Sequence, residues 1–252
     1  MNVRFIFLFA FISLWFNSLQ AQSVTDTNIR ISMFSAHYSF HIPGKDMAVR
    51  FGNSNSVGAD FTFKTVNGWL FGADYSFIFG DNVRNQDSYF AAIRNSKGYV
   101  IDGDGNFAEA YIYQRGFNLS LMVGKQFNIW APNPNSGPFI QFYGGFMQHY
   151  VRIENPYKVA PQINDEYAKL YDRLTNGFSL SQFVGYRFMG NKRLINFYAG
   201  FEFVQGFTAG KRSYNADDRS TDNAKRIDLL SGVRIGWVIP LYGRKKQEFF
   251  YF

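Results

Sequence analysis

From Trp69 onward the odd positions of this chain read Trp69, Phe71, Ala73, Tyr75, Phe77 and Phe79, while the even ones read Leu70, Gly72, Asp74, Ser76 and Ile78. An extended chain turns successive side chains to opposite faces, so this segment offers one aromatic face and one that is small or charged. The pattern returns at Ile195, Phe197, Ala199, Phe201 and Phe203, which alternate with Asn196, Tyr198, Gly200 and Glu202. It returns again at Ile227, Leu229, Val233, Ile235, Trp237, Ile239 and Leu241, set against Asp228, Gly232, Arg234 and Gly236. A period of two sustained over such lengths reads as strands.

Eight segments carry the pattern: Ile29 to Phe40, Val57 to Val66, Trp69 to Phe79, Tyr111 to Phe127, Phe139 to Ile153, Phe178 to Met189, Leu194 to Phe207 and Ile227 to Leu241. Most reach or exceed the ~9–11 residues that a tilted strand needs to cross a bilayer, whereas soluble strands are typically ~5–6 residues long. Their polar face gathers Asp60, Lys64, Asp74, Arg187, Glu202, Asp228 and Arg234. A dry soluble core could not hold so many charges; a lumen can, with the phenylalanine-rich face turned to lipid. Closing the sheet also removes the unpaired edges that such aromatic strands would offer to aggregation. Thirty Phe, 16 Tyr and 4 Trp in 252 residues coexist with a slightly negative mean hydropathy, as that interleaving requires. The fold expected is all-β, an eight-stranded antiparallel transmembrane barrel with long extracellular loops and one short loop helix.

Residues 1–21 have the form of a secretory signal peptide: Arg4, an apolar stretch from Phe5 to Phe16, then Asn17 to Ala21 with a small residue before the cut. The apolar run is too short for a spanning helix, which needs ~20 residues. Residues 22–252 then form the barrel domain. With no cysteine in the chain, disulfides, thiolate metal sites and a lipid-modified cysteine are excluded. The net charge of +7 is dispersed, Lys211-Arg212 and Arg244-Lys245-Lys246 being answered by nearby acids or set at a chain end, which argues against nucleic acid.

Connection lengths orient the barrel. Asn67-Gly68, Asn128 to Gly137 and Gly190 to Arg193 are short, whereas Gly80 to Ala110 and Glu154 to Gly177 are long. Short turns belong to the periplasm and long loops to the outside, which places both termini in the periplasm. Trp69, Trp130 and Trp237 then fall near the periplasmic rim and Tyr38, Phe79, Tyr150 and Phe207 near the outer one, as interfacial belts. A bulged turn Val66-Asn67-Gly68 with Gly68 left-handed keeps lumen residues facing lumen residues and sets Asp60 opposite Asp74. Two like charges there need a cation, for which Arg187 and Arg234 are the candidates.

Chemistry-bearing constellations are few. His37 and Ser39 lie close in sequence as in outer-membrane lipid hydrolases, but period two turns both into the lumen, away from lipid. Asp102-Gly103-Asp104-Gly105-Asn106 with Glu109 offers alternate oxygen ligands for calcium, yet lacks the terminal Glu of the EF-hand loop and reads better as a β-turn. Asn164 to Asn176 reads as a helix capped by Asn164 and ended by Gly177, with Tyr167, Leu170, Tyr171 and Leu174 on one face. That face either folds onto the barrel rim or contacts a partner. No catalytic, cofactor or metal site is expected. Tyr143, Phe183 and Tyr198, together with the lumen charges, should fill an interior that eight strands leave barely wide enough for side chains.

Phe51-Gly52-Asn53, Pro132 to Gly137, Tyr171 to Gly177, Leu194 to Phe203 and Gly236 to Tyr242 resemble a family of small outer-membrane barrels from bacteria with a type IX secretion system. The similarity runs over the whole mature chain. It implies a place in a large envelope machine, as an accessory subunit of barrel assembly, and supplies no catalytic residues. The terminus Phe249-Phe250-Tyr251-Phe252 is similar to the aromatic signal read by assembly machinery, displaced beyond Arg244 to Lys246. The expectation is a non-catalytic, outer-membrane structural or accessory subunit with lipid around it and protein partners at its loops. The alternatives are a lipid-modifying enzyme and a small porin or ligand channel.

Overall fold

Alternating apolar and polar residues become eight strands in the computed structural model, which describes residues 27–91, 93–156, 159–190, 195–216 and 219–241. They are β1 (Ile31–Gly44), β2 (Ser54–Lys64), β3 (Trp69–Gly80), β4 (Tyr111–Gln126), β5 (Gly137–Glu154), β6 (Thr175–Met189), β7 (Asn196–Gly210) and β8 (Lys225–Leu241). Each strand pairs antiparallel with the next, and β1 pairs with β8, so the sheet closes into a barrel without edges. The expected leader, the Lys192-Arg193 turn, the basic Arg244 to Lys246 stretch and the aromatic terminus lie outside the described residues.

The faces divide as the alternation dictates. Phe201 is 62% and Leu121 73% exposed on the outside, whereas Asp228 is wholly buried and Arg187 and Arg234 are each 2% exposed inside. All seven charges expected in the lumen are there. Outside, Phe34 meets Phe61 edge to face at 5.5 Å, and Tyr75, Phe117 and Phe146 form a cross-strand run with centroids 6.1 and 6.0 Å apart. Such a surface would aggregate in water; surrounded by hydrocarbon it is at its free-energy minimum, and the closed ladder leaves no strand-edge group unsatisfied there.

Register follows from one turn. Thr65 N–H donates to the Trp69 carbonyl at 2.8 Å, leaving Val66, Asn67 and Gly68 as a loop of odd length, and Gly68 adopts φ +79°. Lumen positions therefore face lumen positions across β2 and β3, and Asp60 stands opposite Asp74.

Inside, the filling is layered. At the end where β1 begins and β8 finishes, Met33, Leu70, Met122, Phe139, Phe183, Tyr198 and Val238 form an apolar cluster. At the opposite end a second cluster joins Ile78, Ile112, Met147, Val151, Val204 and Leu230 to loop residues Met47, Phe51, Val83, Tyr89 and Ile163. Most of the charges are held in the polar layers between and beside these clusters.

The loops carry short helices: α1 (Lys45–Arg50), α2 (Gln86–Tyr89), a 3-10 turn at Pro161–Ile163 and α3 (Asp165–Ala168). This corrects the helix expected over Asn164 to Asn176. It makes a single turn, and Thr175 and Asn176 already belong to β6. The carbonyls that would continue it are taken by distant amides: Leu170 O by Ala216 N at 2.8 Å, Asp172 O by Val151 N at 2.7 Å and Leu174 O by Lys211 N at 2.9 Å. Long-range pairing overrides local helical spacing here. The supposed stripe is accordingly split. Tyr171 is buried, Leu170 packs beside it, Leu174 is half-buried, and Tyr167 is exposed.

Candidate functional site

The middle of the lumen is a polar network contributed by five strands. Arg234 on β8 donates through Nε to Glu202 Oε2 at 3.1 Å and through Nη1 to Asp74 Oδ2 at 3.2 Å, and its Nη2 bonds Glu202 Oε1. His37 Nε2 meets the same Asp74 oxygen at 2.8 Å, and Ser39 Oγ donates to Glu202 Oε2 at 3.2 Å. Arg234 is thus the cation for Asp74. Asp60 is satisfied differently, accepting from Ser35 Oγ at 3.2 Å, Thr62 Oγ1 at 2.8 Å and the Tyr198 hydroxyl at 3.2 Å. Among the described residues no single cation bridges the two aspartates by a direct bond, and Arg187 sits elsewhere, donating to Gln126 Oε1 at 3.2 Å with its guanidinium 4.5 Å over the Phe139 ring.

Two smaller polar groups flank this network. Nearer the loops, His149 Nε2 and Asp228 Oδ2 are 2.8 Å apart, and Thr208 Oγ1 donates to the same oxygen. At the opposite mouth, Lys64 Nζ donates to Asn28 Oδ1 at 2.5 Å and Asn135 Oδ1 at 2.9 Å. Asn135 Nδ2 in turn donates to the Thr27 carbonyl at 2.8 Å, so the segment preceding β1 folds across the opening. A cavity between His41, Ser56, Ser76, Asn118, Glu202 and Arg234 measures ≈ 10 Å³, room for about one water. Side chains thus fill the described interior at mid-height and at this mouth.

The geometry bears on two chemistries. His37, Asp60 and Asp74 bring ligand atoms within 4.8 Å of one another, the one such grouping among the described residues. Its oxygens already accept the hydrogen bonds just described, and Arg234 supplies the positive charge. His37 and Ser39 do not bond each other. The nearest hydroxyl–imidazole contact is one the sequence reading missed, Ser56 Oγ to His41 Nε2 at 3.1 Å. Glu202 lies 3.8 Å from that same nitrogen while His41 Nδ1 is buried without a partner. A relay needs base and orienting acid on opposite nitrogens, so this arrangement is not a triad.

The loop end is covered by segments that lock into one another. Met47 and Phe51 of the α1 region are fully buried over the lumen, with Phe51 edge-on to His149 at 5.8 Å. Arg50 Nη1 donates to Thr175 Oγ1 at 3.0 Å, and Gly52 N to Asn82 O at 2.7 Å, joining the first and second loops. The Asp102 to Asn106 stretch is a β-turn, with Asp102 Oδ1 accepting from Asp104 N at 2.9 Å and Asn106 N at 2.7 Å. Its hairpin docks on the third loop through Gly103 N to Val159 O at 3.1 Å and Gln162 Nε2 to Ile101 O at 2.7 Å. Asp172 takes both Arg212 Nε and Nη2, at 2.8 and 2.5 Å. That bond holds the Arg212 guanidinium above its ordinary range, against the opposing effect of partial burial. In the same loop, the rings of Tyr99 and Phe107 lie 4.4 Å apart, tilted by 38°, and are 50% and 65% exposed.

No family model matches the chain, and no curated protein matches it. Among solved structures it is similar to Neisserial surface protein A, at 10% identity and a TM-score of 0.45 over 83% of this chain and 96% of that one. It is similar also to Ail, the attachment invasion locus protein of Yersinia pestis in complex with the heparin analogue sucrose octasulfate, at 10% identity and a TM-score of 0.41 over 83% and 99%. A third is the N-terminal β-barrel domain of Pseudomonas aeruginosa OprF, at 9% identity and a TM-score of 0.35 over 84% and 98%. In its own right, a closed barrel of even strand number with an aromatic exterior and a polar, filled interior has the outer-membrane architecture.

Proposed function

We propose that this protein is a non-catalytic outer-membrane barrel that serves as a structural or accessory subunit of an envelope complex, of the kind that assembles barrels or secretes proteins. In this reading the short turns and both chain ends are periplasmic, and the interlocked loops face outward. The observation that carries it is the loop cap. Four loops are tied together by hydrogen bonds over a lumen filled with side chains, and they hold the Tyr99–Phe107 pair exposed. Ordering such loops costs conformational entropy, and a pre-ordered aromatic surface repays a partner that docks on it. Tagged protein drawn from detergent-solubilised envelope should bring down partners in fixed stoichiometry. Replacing Tyr99 and Phe107 together by Ser should release them. A protein that purifies without partners before and after the change would overturn the proposal.

A second reading, a barrel that binds or modifies lipid, is supported by a groove of ≈ 620 Å³ in the outer wall of β6, β7, β8 and β1. Tyr38, Tyr186, Phe197 and Trp237 line it, while Ala36 and Gly236 thin the wall so that His37 and Tyr198 contribute from the lumen side. Lipid turnover by the purified barrel, lost in His37→Ala, would favour this reading; an unchanged lipid pool would remove it.

A further inference from the structure

Gln182 on β6 and Gln205 on β7 are outward-facing amides in an otherwise apolar wall. Along its own strand Gln182 lies between Leu180 and Val184, and Gln205 between Phe203 and Phe207, all four exposed to the bilayer side. The two amides bond each other reciprocally, Gln182 Nε2 to Gln205 Oε1 at 3.2 Å and Gln205 Nε2 to Gln182 Oε1 at 2.8 Å. An amide has two N–H donors and an oxygen with two lone pairs. One N–H and one lone pair of each glutamine therefore stay unused among the described residues, in a medium that supplies no partner. Gln148 and Asn176, bonded at 3.4 Å, extend this polar strip towards the loop end. Comparable mid-strand positions on β3 and β4 carry Phe71, Tyr75, Phe117 and Leu119.

Beside the amides the wall is hollowed. A groove of ≈ 400 Å³ is lined by Leu121, Val123, Phe142, Gly144 and Leu180. A Cβ at Gly144 would come no nearer than 3.9 Å to any neighbour, so the backbone does not demand glycine there, and a larger side chain would fill the hollow.

We infer that the β5–β7 wall is an interface within the membrane for a second copy of this chain. The amide pair is its own complement, with as many free donors as acceptors gathered at one spot. A two-fold axis along the membrane normal through that spot pairs the spare N–H groups of one copy with the spare lone pairs of the other. Any other partner would have to bring matching polar groups of its own into hydrocarbon. The same axis turns the β5 side of one copy towards the β7–β8 side of the other, so each Gly144 hollow receives the phenylalanine-bearing wall around Phe201 and Phe203. This contact is independent of the loop surface proposed above.

The cysteine-free sequence makes the test direct. Gln182→Cys and Gln205→Cys, oxidised in intact envelopes, should each give a disulfide-linked species of twice the chain mass, whereas Phe71→Cys on the far wall should stay monomeric. The doubly changed Gln182→Leu, Gln205→Leu barrel keeps an apolar wall and a folded barrel. It should sediment in mild detergent at half the mass of the unaltered protein. Adducts with a different protein, cross-linking no greater than at Phe71→Cys, or a Leu variant that stays dimeric would each overturn the inference.

Discussion

Arg234 holds one carboxylate on the adjoining strand β7 and another on β3, which meets β8 only across the lumen. Removing it leaves Asp74 and Glu202 buried with no guanidinium between them. Breaking a buried ion pair from one side costs about 3–5 kcal/mol, so Arg234→Leu should lower the unfolding free energy obtained from a urea titration by that measure. Adding Asp74→Asn and Glu202→Gln, which removes the stranded charges, should restore most of it; a triple variant as weak as the single one would show the network to be incidental. At this scale the sequence was partly legible. Period two turned the seven charged strand residues into the lumen, though it gave no sign of the buried Arg50 on α1, and the turn parity set Asp60 opposite Asp74. It did not tell Arg187 from Arg234 as the cation, because that choice depends on how far each side chain sits along the barrel axis. The Ser56–His41 contact escaped for the same reason.

Strands and turns were the most legible elements. Gly68 at φ +79° closes the odd loop that keeps β2 and β3 in phase. A side chain there suffers the left-handed penalty of roughly 1–2 kcal/mol and in addition meets the Gln126 carbonyl. Gly68→Val should therefore lower stability by at least that amount in a denaturant titration, while Gly103→Val, with open space around it and no positive φ, should change little. Equal effects at the two sites would contradict the register argument. The loop helix failed as an element because Tyr167, Leu170, Tyr171 and Leu174 have helical spacing in the sequence alone. In the folded chain the carbonyls of Leu170, Asp172 and Leu174 are claimed by Ala216, Val151 and Lys211 from other loops and strands. The α1 turn, whose Met47 and Phe51 cover the lumen, was not signalled by any periodicity, since six residues are too few to display one.

For the whole molecule, the filling of the lumen is the property on which the proposed function leans. Lys64, Asn28 and Asn135 cross one mouth, the Arg234 network fills mid-height and Met47 and Phe51 lie over the other mouth, and a lumen so filled is expected to be occluded. Planar bilayers containing the purified barrel should stay silent, and porin-sized conductance steps would refute the occluded lumen and the subunit reading that leans on it. What the sequence by itself determined was the class of fold, the strand count and the side each residue faces, because alternation is a local property that every strand carries alone. What only the tertiary structure decided was which charges meet, that apolar layers cap them, that the loops interlock, and that four amides gather on one wall. Those facts depend on closing eight strands at one shear and on contacts between residues far apart in the chain, and no local pattern encodes such distances.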